Sequence, residues 1–151
     1  MKRLLRLARV TEYLHRFRVP SCPDIVPIMT VNQENATSQL AKASSGDQLL
    51  IALPEGRSGG RDSDTFDESV SFAFFALAKI NGPTRTPESA QAAYDRLLKL
   101  LDACLDQLVL DLTQGDPCEP IMGLELTKAD VVPEYSVFGG WSGYYVEIVL
   151  E

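Results

Sequence analysis

A serine between glycines is the feature of this sequence that comes nearest to a catalytic motif. The run Gly140-Trp141-Ser142-Gly143-Tyr144 is close to the nucleophile elbow of hydrolases, but that motif is Gly-x-Ser-x-Gly, and Tyr144 stands at its last position. The elbow also connects a strand to a helix, whereas residues 144–150 alternate as in a strand. The sequence therefore favours a hairpin turn with glycines at positive φ over a nucleophilic Ser142.

A polar, glycine-rich segment at residues 55–65 has two further candidate chemistries. Its glycines and arginines could surround a phosphate, but the Lys-Ser/Thr ending of a Walker loop is absent and no helix N-terminus clearly follows. These residues are Gly56, Arg57, Gly59, Gly60 and Arg61. We favour a long solvent-exposed loop without a bound phosphate.

The acids in and just after this loop could bind calcium. They are Asp62, Asp64, Asp67 and Glu68. Their spacing does not match that of an EF-hand loop, so a solvated acidic loop is the favoured interpretation. A third interpretation is that the mixed charges of the loop contact complementary charges on a neighbouring subunit.

One histidine and three cysteines give no sign of a metal site. A single histidine, His15, does not by itself make a zinc site, and we place it on the solvent side of the first helix. Cys22, Cys104 and Cys118 are odd in number and widely spaced, which is unlike a disulfide framework. Cys104 falls on the apolar stripe of a helix, where a buried free thiol is usual, and a reducing compartment is expected. We predict no catalytic, cofactor-binding or metal-binding residues, and no enzyme activity.

Charge is unevenly distributed along the 151 residues, whose net charge is −7. The first eighteen residues contain six basic residues and one acidic residue, whereas the remaining 133 contain eight basic and twenty acidic residues. An acidic body argues against specific nucleic-acid binding, which requires a basic face. No segment reaches the roughly 18 apolar residues of a membrane helix, and arginines interrupt the N-terminus, so we expect neither a membrane span nor a signal peptide.

The length of the chain and its pattern of apolar residues predict one α+β domain over residues 1–151. A basic N-terminal helix (1–18) and a proline-rich connector (19–27) precede an α+β body (28–151). We expect an antiparallel or mixed sheet packed against one long helix. That helix spans about residues 86–112, with Thr86 as N-cap, Pro87 at the first position and apolar residues every three or four positions. Strands are predicted at 28–32, 48–53, 122–126, 131–138 and 144–150, and residues 33–46 are left unassigned.

Residues 66–80 are compatible with either a strand or a helix. A strand places Val70, Phe72 and Phe74 on one face, whereas a helix places Phe66, Val70 and Phe74 together and gains a possible capping box. Alanines favour the helix, and the phenylalanine and valine content favours the strand. We predict a strand, because it gives the strand at 48–53 a partner.

The order of elements resembles that of the tail-terminator and tail-completion proteins of long-tailed bacteriophages. The residues that carry the resemblance are Leu49–Leu53, Glu55–Thr65, Val70–Ile80, Thr86–Leu112 and Gly140-Trp141-Ser142-Gly143-Tyr144-Tyr145-Val146-Glu147. The family implies a ring, commonly a hexamer, at the head-proximal end of the tail tube. Such a ring stops tube polymerisation, presents a surface to the head connector and has no catalytic residues.

The resemblance implies subunit contacts rather than an active site. The basic first helix and the loop Arg57–Asp64 would contact neighbouring subunits, because heterologous contacts that close produce rings. Trp141, the only tryptophan, fits either core packing or an exposed interface anchor. The predicted interface residues are Arg6, Arg9, Arg57, Arg61, Asp62, Asp64 and Trp141. The expected partners are further copies of the chain, the tail tube and the head connector, in a virion assembled in the bacterial cytoplasm.

Two other classes of function remain open. One is a small cytoplasmic adaptor or regulatory domain that binds another protein. The other is an enzyme or small-ligand binder, which a deep pocket lined by acids with raised pKa values would favour.

Overall fold

The computed structural model describes residues 5–43, 46–59, 67–80, 87–115 and 121–151. Within these ranges the chain forms three helices and five strands, which confirms the predicted α+β class. The elements are α1 (Leu5–Arg16), β1 (Ile28–Thr30), α2 (Gln33–Ala41), β2 (Gln48–Gly59), β3 (Asp67–Ala78), α3 (Pro87–Thr113), β4 (Leu126–Val137) and β5 (Trp141–Leu150). The connector at 19–27 contains no helix or strand, as its prolines predict.

All five strands belong to one mixed sheet in the order β1-β2-β3-β5-β4. β1 runs parallel to β2, and the other neighbouring strands are antiparallel. β3 is central, so Phe74 lies opposite Ile51 of β2 and Val146 of β5. The strand predicted over residues 66–80 is confirmed, because alternate side chains here enter a core from a strand paired on both sides.

The first face of the sheet is covered by α1 and α3. The long helix predicted at about 86–112 is confirmed at Pro87–Thr113, while Thr86 lies outside the described residues. Its buried stripe is Ala93, Leu97, Leu100, Leu101, Cys104, Leu108 and Leu112. From α1 and the residue after it, Val10, Leu14 and Phe17 enter the same core, and the Phe17 ring lies 5.0 Å from that of Phe74.

The second face carries a smaller core under α2, a helix that the sequence pattern left unassigned. The buried members of this core are Ala36, Leu40, Leu50, Leu77 and Trp141. α2 begins after Asn32, whose side chain accepts a hydrogen bond from the Asn35 N–H at 2.8 Å, the geometry of an N-cap. Farther along this face Phe75 and Tyr145 remain partly exposed.

The C-terminal strands differ from the prediction in their bounds. The strand predicted at 122–126 is wrong, because residues 121–123 form a turn in which Gly123 has φ +90. The strand predicted at 131–138 is part of a longer strand, Leu126–Val137. Pro133 does not interrupt it, since β4 is at the edge of the sheet, where a residue without an N–H is tolerated.

The loop predicted at residues 55–65 is also shorter than expected. β2 continues past Pro54 as far as Gly59, and its register shifts between Ala52 and Glu55. Such a bulge accommodates a proline within a strand. Residues 60–66 lie outside the described residues.

Candidate subunit interface

A groove of about 550 Å³ opens on the second face of the sheet, between the start of α2 and the β4–β5 hairpin. Three aromatic rings form its apolar part. The rings of Phe75 and Tyr145 are stacked with centroids 5.2 Å apart, and Phe138 meets Phe75 edge-on at 5.5 Å. Neighbouring residues of a strand face opposite sides, so Phe75 points into the groove while Phe74 points into the main core.

The polar lining of the groove is acidic. Glu55 and Glu134 line it, and none of its described lining residues is a lysine, arginine or histidine. Among the described residues, neither carboxylate belongs to an ion pair. Aromatic faces and unpaired carboxylates both attract cations, so the groove is suited to a cationic group.

Exposed apolar side chains surround the groove. Leu53 and Val31 line it and are 37% and 64% exposed. Val132, 37% exposed, is the cross-strand partner of Tyr145 and therefore shares its face. A contiguous apolar patch of this kind is typical of a surface that contacts another protein.

The exposed side of α1 lies on the opposite face of the sheet from the groove. It carries Arg9 and Arg16, and Arg18 follows the helix, all three exposed. Arg16 pairs with Glu12 at 3.5 Å, but both side chains are more than half exposed, so this pair contributes little to stability. Among the described residues, no carboxylate lies within ion-pair distance of Arg9.

Arg6, a predicted interface residue, is used within the molecule. Its guanidinium donates a hydrogen bond to the backbone carbonyl of Glu68. The Leu7 N–H donates to Glu68 Oε1 at 3.3 Å, and Leu7 also packs against Gly56. These contacts attach α1 to β2 and β3, so we assign Arg6 to positioning the helix.

Four other predicted interface residues belong to the loop Arg57–Asp64, of which the structure describes only the first part. Arg57 lies in β2 opposite Ser69, and its side chain is not described. Arg61, Asp62 and Asp64 lie outside the described residues, whereas Asp67 and Glu68, the other two acids considered for calcium, lie in β3.

The prediction that Trp141 is an exposed interface anchor is wrong. Its side chain is 1% exposed and packs in the small core under α2, with Lys79 Nζ 5.5 Å from the ring centroid. Core packing, the alternative interpretation, is confirmed. β5 begins at Trp141 directly after Gly139 and Gly140, both at positive φ, so the ring belongs to a strand and faces the core under α2.

Ser142 is placed where it cannot act as an exposed nucleophile. Its side chain is fully buried, and its Oγ accepts a hydrogen bond from the Ser136 N–H at 2.8 Å. Tyr94 of α3 also contacts Ser142 and donates from its hydroxyl to the Glu134 carbonyl at 3.4 Å. Burial is the main cause that raises the pKa of Tyr94. These groups fix the β4–β5 hairpin, which includes one rim of the groove.

The remaining candidates for chemistry are dispersed. His15 is exposed, as predicted. Cys104 is a buried free thiol, as predicted, and burial raises its pKa to about 12. Among the described residues, no three histidines, cysteines or acids come together as metal ligands.

The groove itself was not predicted from the sequence. Its rings lie on strands far apart in the chain, and the sequence gives no register between them. A signal was present at Phe74 and Phe75, because consecutive aromatic residues in a strand place one ring on each face. A strand with apolar residues on both faces indicates a second contact surface.

Comparisons with protein families, curated proteins and solved structures find no significant match to this chain. In the part of the chain that the structure describes, no helix is both long enough and apolar enough to cross a membrane.

Proposed function

We propose that this chain is a non-enzymatic structural assembly protein, the subunit of a homo-oligomeric ring at the head–tail junction of a long-tailed bacteriophage. The observation that carries the proposal is the placement of complementary surfaces on opposite faces of one sheet. The basic side of α1 and the acidic, aromatic groove are separated by the sheet, so they cannot meet within one molecule. A second copy can join them.

Contacts between two different surfaces are heterologous. Copies joined in this way form a closed ring when the rotation between them closes, and a filament when it does not. An isologous dimer, by contrast, requires one surface that is complementary to itself. The charge distribution of this chain therefore supports a ring more strongly than a symmetric dimer.

The phage context comes from the order of elements. The resemblance to tail-terminator proteins rests on a first helix, a strand pair, a long helix and closing strands, and the structure has these in that order, with β1 and the helix α2 between the first helix and the strand pair. In this setting the ring would be located in the virion, between the tail tube and the head connector. Because many α+β domains share this order, an assay of tube growth is the decisive test.

The first experiment measures size in solution. Native mass spectrometry and light scattering of the full chain over a concentration series should show one oligomer of defined subunit number. A chain that stays monomeric at every concentration, both alone and with tail-tube protein, would overturn the proposal.

The second experiment measures tube growth. Added to polymerising tail-tube protein of the same phage, the oligomer should shorten the tubes seen by electron microscopy and label one tube end. Tubes of unchanged length would rule out a terminator and leave only a general assembly role.

A small cytoplasmic adaptor is the second candidate. The groove volume of about 550 Å³ lies within the range of about 300–1,000 Å³ that is typical of ligand sites, so a cationic segment of another protein is an alternative occupant. A monomer that recovers one stoichiometric partner from the cell would favour this function over a ring.

A further inference from the structure

We infer that the groove receives the Arg9 side chain from helix α1 of a neighbouring copy. This inference rests on the proposed self-assembly and names the contact that would hold neighbouring subunits together. It uses two features of the structure, the chemistry of the groove and the absence, among the described residues, of a carboxylate partner for one arginine.

The groove presents the groups that bind a guanidinium. A planar guanidinium stacks on an aromatic face, and the Phe75 and Tyr145 rings, stacked on each other with centroids 5.2 Å apart, both line the groove. Its N–H groups pair with carboxylates, which Glu55 and Glu134 supply at the rim. Lysine would gain the charge attraction but not the stacked, bidentate geometry.

Among the arginines of the α1 segment, Arg9 is the best donor. Arg6 is bound to Glu68, Arg16 is paired with Glu12, and Arg18 donates to the Phe17 carbonyl at 2.7 Å. Arg9 is exposed and, among the described residues, has no carboxylate partner. It is thus the α1 arginine whose insertion into another molecule breaks no ion pair or side-chain hydrogen bond among the described residues.

Other acids of the second face are already partly neutralised. Lys128 Nζ of β4 lies 3.5 Å from a carboxylate oxygen of Asp130 in the same strand and 3.6 Å from one of Glu147 in β5. These acids therefore attract an incoming arginine less than the groove acids do. The charge complementarity thus directs the contact to the groove rather than to the sheet edge.

Single substitutions test the two sides of the contact. Arg9→Gln and Glu134→Gln should each weaken association about tenfold in sedimentation equilibrium, because each leaves a charged group without its partner. Lys99→Gln and Asp102→Asn are the matched controls, since each removes one exposed charge of α3 outside the contact, and both should leave association unchanged. Equal effects in test and control variants would overturn the inference.

The aromatic part has its own pair of variants. Tyr145→Phe keeps the ring and should bind as the wild type does, whereas Tyr145→Leu removes the ring face and should weaken association. Unfolding midpoints of both variants report whether the sheet is intact. If Tyr145→Phe and Tyr145→Leu are both folded and associate equally strongly, the stacking contact is overturned.

A mixing experiment tests the direction of the contact. A chain with Glu55→Arg and Glu134→Arg keeps a functional helix, and a chain with Arg9→Ala keeps a functional groove, while the two altered surfaces have no complementary charge. Each alone should be monomeric, whereas their mixture can form only one intact contact and should stop at a 1:1 dimer. A mixture that remains monomeric, or that forms rings, would contradict a heterologous Arg9–groove interface.

The outcomes separate this inference from the proposed function. Rings that form unchanged in the Arg9 and groove variants would overturn the groove contact and leave ring assembly standing. A wild-type chain that is always monomeric would overturn both, and binding of an arginine-rich peptide to that monomer would assign the groove to another protein.

Discussion

Among single residues, Gly143 has very little room for a side chain. A Cβ at this position would overlap the Ala76 carbonyl oxygen and lie 3.0 Å from Leu97 Cδ1. Gly143→Ala should therefore lower the free energy of unfolding by about 3 kcal/mol, measured by chemical denaturation. Gly46→Ala is the matched control, because no atom lies within 4 Å of its added Cβ, and we expect a change below about 0.5 kcal/mol. Equal effects at both positions would contradict the close packing of β5 on β3.

The buried thiol of Cys104 makes stability depend on alkaline pH. Burial raises its pKa from the ordinary value of 9.0 to about 12, and nearby Cys22 adds to the shift. The stabilisation from keeping the thiol neutral is complete below the unfolded pKa and is lost as pH rises toward the folded pKa. The loss should reach about 1.4 kcal/mol per pH unit in that window.

Cys104→Ala isolates this contribution from other groups that titrate at high pH. The difference in unfolding free energy between wild type and Cys104→Ala should be constant below about pH 9 and shrink above it. Denaturant titrations across the alkaline range measure it. A difference that does not change with pH would show that the thiol is not buried in solution.

Among the elements, α2 combines a short buried face with an N-cap that contributes to its stability. Only Ala36 and Leu40 of the helix are buried, and Asn32 satisfies an N–H of its first turn. Asn32→Ala should cost about 1 kcal/mol of unfolding free energy, while Asn32→Ser keeps a capping oxygen and should cost much less. Similar losses of unfolding free energy in both variants would show that the capping hydrogen bond does not cause the destabilisation.

Elements with a strong local pattern could be predicted, and those without one could not. α3 has seven buried residues at helical spacing, and β3 alternates between buried and partly exposed side chains from Val70 to Ala76. By contrast, α2 buries two residues one turn apart, and most of β4 is exposed, so neither has a clear apolar period. The groove joins Phe75, Tyr145 and Glu55 from three strands, and their proximity depends on a register that no local pattern specifies.

For the whole molecule, the separation of charge predicts an assembly that is sensitive to salt. Raising salt from about 0.1 M to about 1 M shortens the Debye length from about 10 Å to about 3 Å. The association constant measured by sedimentation should fall about tenfold over this range. The control is the denaturant midpoint for unfolding of Glu134→Gln, a variant with weakened association, and this midpoint should change little with salt. Association that strengthens with salt would instead indicate an interface dominated by apolar contacts.

The outer edge of β4 limits the direction in which such an assembly can grow. This twelve-residue strand is unpaired on one side within the described structure, and it carries Pro133, Lys128 and Asp130. A missing N–H and charged side chains at an edge disfavour pairing with the strand of another molecule. New subunits would therefore pack face to face on the sheet, along its normal. The hydrogen-bonded sheet of one subunit would not continue into the next.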